Sequence, residues 1–148
     1  MSRRWLPLLL LALPAILPGQ QPPARIRIVV YKLTPVPNNA ATQALATAVG
    51  RALVHALADD SLFELMTYPG ASGRTDMSRP TAQYAVVGGV AVAAGLTSVD
   101  LRILDIPNVR LLATQKLAIP DEAIKDPAGW AGRRLAKDVH DHFAAARR

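Results

Sequence analysis

Residues 84–117 read YAVVGGVAVA AGLTSVDLRI LDIPNVRLLA TQKL, and this stretch decides the fold. From Tyr84 to Ala93 the chain is apolar on both faces, as in the central strand of a sheet. Gly88-Gly89 inside it marks either a bulge or a close backbone approach. Gly95 supplies a turn. Val99, Leu101 and Ile103 then alternate with Asp100, Arg102 and Leu104. Pro107-Asn108 supplies a second turn. Val109, Leu111, Ala113, Gln115 and Leu117 alternate with Arg110, Leu112, Thr114 and Lys116. Three strands joined by short turns form an antiparallel meander.

Working outward, Asp126-Pro127 is a helix start. The Asp side chain caps free backbone N–H groups, and Pro fits the first helical position. Ala131, Leu135, Val139 and Phe143 form one face of this C-terminal helix, with Arg133, Arg134, Lys137, Asp138 and Asp141 mostly outside it. On the N-terminal side, Leu62 to Met66 is a short strand candidate. Residues 67–82 hold Pro69, Gly70, Ser72, Gly73, Ser78 and Pro80, a loop long for a compact domain. Before them, from Thr42, Leu45, Val49, Leu53 and Leu57 recur every four residues with Ala52 and Ala56 beside them, an amphipathic helix ending near Asp59 and Asp60. Ile26, Ile28 and Val30 alternate with Arg25, Arg27 and Val29 in a first strand, which Pro35, Pro37, Asn38 and Asn39 break. The order β-α-β-loop-β-β-β-α predicts an α+β fold: a five-stranded mixed sheet with two helices packed on one face.

The extreme N-terminus is built differently. Arg3 and Arg4 precede an apolar block from Trp5 to Leu17, and the chain turns polar at Gly19, Gln20 and Gln21. That is the layout of a secretory signal peptide over residues 1–19. The alternative is an uncleaved anchor. The block holds Pro7 and Pro14 and is shorter than the roughly 20 residues of a spanning helix. Residues 20–24 form a short polar tail, and residues 25–146 a single domain containing the 67–82 loop. Export places the protein in the periplasm, and membrane contact is expected only through the signal segment if it is retained.

Composition narrows the function. There is no cysteine, which excludes a disulfide scaffold, a thiol nucleophile and a lipid attached after the signal. The net charge of +6 falls to +4 once Arg3 and Arg4 leave with the signal. The cations are scattered apart from Arg133-Arg134 and Arg147-Arg148, and aromatics are few, so no nucleic acid partner is expected.

The second half of the chain resembles a known family. Residues 57–65, LADDSLFEL, look like the helix-to-strand junction of the TolB amino-terminal domain. Residues 82–90, AQYAVVGGV, look like its A-D-x-x-V-x-G-x-V strand, and residues 99–105, VDLRILD, like its V-x-x-R-L-x-D strand. Residues 133–143, RRLAKDVHDHF, look like its last helix. TolB is the periplasmic component of the Tol-Pal envelope system and pairs this small domain with a β-propeller. The resemblance spans about residues 26–144 and implies the same α/β domain, without the propeller that in TolB contacts Pal. TolB reaches TolA through a flexible segment at its mature N-terminus; only Gln20 to Ala24 precede the first strand here, so that contact is not implied. Related domains serve as accessory factors of cell-wall synthases and flagella, and fold transfers better than partner.

Candidate chemistry is sparse. His55 and Asp59 stand i, i+4 on the first helix, a spacing that fits a base with its orienting carboxylate or a solvated helix pair; no nucleophile shares that helix. His140-x-His142 offers ligand atoms, but helical i, i+2 positions point about 200° apart and cannot share one ion. Ser61 and Ser72 lack the setting of a nucleophile elbow. Trp130 either anchors a partner or covers the edge of the core. The expectation is therefore a non-enzymatic binding or adaptor domain with no catalytic residue, cofactor or metal. The first alternative is an accessory factor for cell-wall synthase or flagellar assembly, and the second a small periplasmic hydrolase using His55 or the His140/His142 region. Its partners are expected among envelope proteins, with Tol-Pal components the first candidates. The contact surface is expected on the sheet face opposite the helices, at Arg102, Leu104, Arg110, Leu112 and Lys116. A second candidate is Tyr68, Arg74 and Arg79 in the 67–82 loop.

Overall fold

A computed structural model of the protein describes residues 23–66, 82–120 and 125–148. The expected signal segment, most of the polar tail and nearly all of the 67–82 loop, with Tyr68, Arg74 and Arg79, lie outside these residues. The element order is β1 (Ile26–Val30), β2 (Thr34–Val36), α1 (Ala40–Ala58), β3 (Phe63–Leu65), β4 (Tyr84–Ala93), β5 (Leu96–Asp105), β6 (Arg110–Ile119) and α2 (Pro127–Ala145). The architecture is α+β, with a mixed sheet whose main path runs β3-β1-β4-β5-β6. β1 pairs in parallel with β3 and β4, and β4, β5 and β6 form the antiparallel meander.

Each helix begins where a side chain satisfies its first free N–H groups. The Asn39 side-chain oxygen accepts from the Thr42 N–H at 2.9 Å, and Asp126 accepts from the Gly129 N–H at 2.9 Å with Pro127 behind it. The buried stripe of α1 is Thr42, Ala46, Val49, Leu53 and Leu57, so Ala46 occupies the inner line and Leu45 packs half-buried beside it. On α2 the buried line includes Ala131, Leu135, Val139 and Phe143. The helices approach closely at Gly132, where a Cβ would stand 2.5 Å from the Ala52 Cβ. Trp130 packs half-buried against the core.

Both stripes press on one sheet face, made of Ile26, Ile28, Phe63, Val86, Val90, Val99, Leu101 and Ile103. Phe143 meets Phe63 edge-on at 5.7 Å and lies 4.8 Å from Tyr84. These are favourable aromatic geometries that close the core at one end.

Two features depart from the sequence pattern. First, Thr34–Val36 forms a short sixth strand on β4 beyond β1, despite its proline. Pro35 is tolerated because β2 is an edge segment with β4 as its one partner, so the missing N–H interrupts no ladder on the other side.

Second, the bulge sits in β6 and not at Gly88-Gly89. β4 and β5 stay in unbroken register from Tyr84↔Asp105 to Ala93↔Leu96. The glycines serve close approach: a Cβ on Gly88 would fall 2.0 Å from the Asp100 carbonyl oxygen, and one on Gly89 2.9 Å from that of Thr34. In β6 the register slips between Ile103↔Ala113 and Leu104↔Leu111, leaving Leu112 as the extra residue. A one-residue slip exchanges the two faces of a strand. Leu111 therefore joins Leu104 on the outer face, while Leu112 packs against the core. Arg110 is opposite the buried Asp105, on the helix side, with Nη2 3.9 Å from Oδ2. Simple alternation places Arg110 and Leu112 on the outer face; the bulge corrects both.

Candidate functional site

The outer face of the sheet changes character from one side to the other. On β1 and β4 it presents Val29 and Ala85, opposite one another and both only 4% exposed, outside the main core cluster. On β5 and β6 it opens. Arg102 is opposite Val87 on one side and Thr114 on the other, and Asp100 is opposite Lys116. Leu104 is half-buried beside the exposed Leu111. A shallow depression of about 560 Å³ runs between the strands, lined by Ser98, Asp100, Arg102, Lys116 and Ala118 among others.

Alternation explains why these side chains share a face. Val99, Leu101 and Ile103 are fully buried toward the helices, which turns Asp100, Arg102 and Leu104 outward. Arg102 Nε lies 3.9 Å from Asp100 Oδ2, a loose and largely solvated pair of little energetic weight. Two cations with one carboxylate beside apolar Leu104 and Leu111 give a mildly positive, half-apolar surface. Of the expected contact residues, Arg102, Leu104 and Lys116 share it. Arg110 and Leu112 do not, and Leu111, which alternation assigned to the core, takes their place. Two adjacent leucines hide a bulge from a reading based on hydropathy, because either one satisfies the pattern.

The histidines are distributed otherwise. His55 Nδ1 lies 3.4 Å from Asp59 Oδ2 with both side chains about three-quarters exposed, a solvated helix pair. His140 Nδ1 lies 2.6 Å from Asp60 Oδ2, and its ring stands edge-on to Phe63 at 6.5 Å. Asp60 also accepts from the Leu62 N–H at 2.9 Å. The dyad joins α2 to the α1–β3 turn across 80 residues of sequence, which no local pattern reveals. Neither the depression along β5 and β6 nor the one along α1 is lined by the dyad, and among the described residues no serine or threonine hydroxyl is shown bonded to it. His142 rests against Phe143 at 5.2 Å. Among the described residues no three His, Asp or Glu side chains gather as metal ligands. On the exposed side of α2 the Lys137 ammonium, hydrogen-bonded to Asp141, holds that carboxyl below its usual range.

No family model matches the sequence, and no match is found among curated proteins. Solved structures do match. PelC from Paraburkholderia phytofirmans, a dodecamer, gives a TM-score of 0.49 at 14% identity over 80% of this chain and 90% of that one. Lipoprotein GNA1162 from Neisseria meningitidis gives 0.47 at 16% identity, over 81% and 97%. TolB from Acinetobacter baumannii gives 0.50 at 13% identity, over 84% of this chain and 29% of that one. The chain thus spans less than a third of the TolB structure, and what it shares with that part of TolB is a distant likeness of fold.

Proposed function

We propose that the protein is an exported, non-enzymatic adaptor of the cell envelope, and that the β5–β6 half of its outer sheet face binds an acidic protein surface. One observation carries this reading. Both helices pack on the opposite face, and Arg102, Leu104, Leu111, Thr114 and Lys116 stand together as cations beside apolar area. Such a mixture suits a protein interface better than a solvated sheet face, which favours uniformly polar residues. The likeness of fold to TolB and the signal-like N-terminus support an envelope setting, with Tol-Pal components as the first candidate partners. No enzyme is proposed, because the His140–Asp60 pair ties α2 to the α1–β3 turn, and among the described residues no serine or threonine is shown bonded to it.

The test is crosslinking in cells with a tagged chain, comparing the natural sequence with Arg102→Glu/Lys116→Glu. Capture of a Tol-Pal component that the charge reversal abolishes supports the reading. Capture of a cell-wall synthase or flagellar component, lost in the same variant, keeps the surface and replaces the system. Capture that survives the reversal refutes the surface.

A further inference from the structure

The β5–β6 turn contains a residue that neither packing nor backbone preference explains. Val109 is 91% exposed, and its φ is 49°. That left-handed region suits Gly or Asn and crowds a β-branched side chain. The turn is held by other groups. The Asp105 carboxylate accepts from the Asn108 backbone N–H at 3.3 Å and from its Nδ2 at 2.8 Å, and the Val109 N–H donates to the Ile106 carbonyl at 3.3 Å. The valine side chain therefore strains the turn and gains little inside the fold. Strain of this kind points to a role outside it. Ile106, 40% exposed, and Leu111, 53% exposed, flank it and make the tip apolar.

The position of the tip is the second observation. The Ile106 N–H donates to the Gln83 carbonyl, and the Gln83 N–H to that of Arg27. The Arg147 guanidinium donates to the Ala24 carbonyl at 2.8 Å. The tip, the start of β1 and the end of α2 therefore lie at one end of the sheet. The chain enters the domain at this same end, after residues 1–22 with their apolar block from Trp5 to Leu17. Arg25, Arg147 and Arg148 are exposed there. The exposed carboxylate of Asp59, the C-cap of α1, lies at this end too, but on the β3 side of the sheet, whereas the tip is on the β5–β6 side.

We infer that this end of the domain rests on an anionic lipid surface. Val109, Ile106 and Leu111 enter the boundary between headgroups and acyl chains, and Arg25, Arg147 and Arg148 face the headgroup phosphates. Shallow insertion of a few apolar side chains combined with nearby cations is how peripheral domains hold a membrane. A protruding turn of three apolar residues offers far less area than the roughly 800 Å² per partner of a stable protein interface. Leu111 is shared with the proposed partner surface, whereas Arg102 and Lys116 lie farther along the strands from the tip, so a probe at 109 reads the lipid contact separately from the Arg102→Glu/Lys116→Glu test.

The chain has no cysteine, so single probes can be placed at will. Val109→Cys and Leu96→Cys each carry an environment-sensitive fluorophore; Leu96 is 72% exposed at the opposite end of β5. The exported protein, without residues 1–19, is added to vesicles of phosphatidylcholine with or without phosphatidylglycerol. The expected result is a blue shift of the probe at 109 that lipid-borne quenchers suppress several-fold more than at 96. That shift shrinks at high salt and without phosphatidylglycerol. Equal quenching at both positions, or at neither, overturns the inference. A shift at 109 that depends on protein concentration without vesicles also overturns it, and assigns the tip to contact with a second copy.

Discussion

The β4–β5 and β5–β6 hairpins share a strand and obey different rules. The first is regular: ten pairs in unbroken register close on Ala94-Gly95, both at positive φ, which is the two-residue turn whose twist matches the strands. Its glycines let the backbones of β2 and β5 come close. The second carries a bulge at Leu112, a four-residue turn and a valine in the left-handed region. The β4–β5 register is unbroken at the centre of the sheet, and the bulge falls on β6, the edge strand. Both proposed contacts, the outer face and the turn tip, fall on the irregular hairpin. This is the pattern expected when departures from ideal structure serve binding.

The largest effect should come from attacking the regular hairpin. Gly88→Val places a branched side chain into the β5 backbone, which has no flexible end to yield. We expect a loss of about 3 kcal/mol or more in urea unfolding, or failure to fold. A neutral result would break the comparison, because β4 and β5 would then not be in close contact.

The bulge is tested next. Leu112→Ala should cost about 1–2 kcal/mol and Leu111→Ala under about 0.5 kcal/mol, since only the former packs against the core. The opposite ranking would restore simple alternation and return Leu112 to the outer face. Third, Val109→Asn should leave stability unchanged or raise it by up to about 1 kcal/mol, read as a higher Tm, by relieving the left-handed strain. A clear loss of stability would mean that the valine packs within the fold.

The smallest effect lies off both hairpins and serves as their reference. The Asp141 carboxyl, held down by Lys137, should titrate below the ordinary carboxylate value of 3.8, and Lys137→Met should move its midpoint up toward it in NMR. A depressed folded-state pKa stabilises above the unfolded value and ceases to do so as pH falls through the folded one. Any contribution to stability therefore disappears only at acid pH. At this exposed site Asp141→Asn should leave the urea midpoint at neutral pH nearly unchanged.

What could be read from the sequence follows the same division. The meander, both helices and the Asp126-Pro127 start were legible because each rests on periodicity or local capping chemistry. Asn39 reads as part of a break, although its side chain caps α1, because capping and breaking residues share a composition. β2 was hidden by Pro35, whose tolerance depends on its place at an edge. The bulge was hidden by the pair Leu111-Leu112, since both fit an apolar position and hydropathy carries no register. The His140–Asp60 contact was hidden by distance along the chain. For the candidate surface, Arg102, Leu104 and Lys116 followed from alternation in β5 and the far half of β6. Arg110, Leu111 and Leu112 needed the three-dimensional register.

The central claim is that the outer sheet face, and not the helical side, receives the partner. The most direct measurement is photocrosslinking in cells from two exposed positions, Thr114 on the outer face of β6 and Thr47 on the solvent side of α1. The account predicts a specific envelope protein captured from position 114 and none from position 47. Capture from 47 with none from 114 would place the partner on the helices and contradict it.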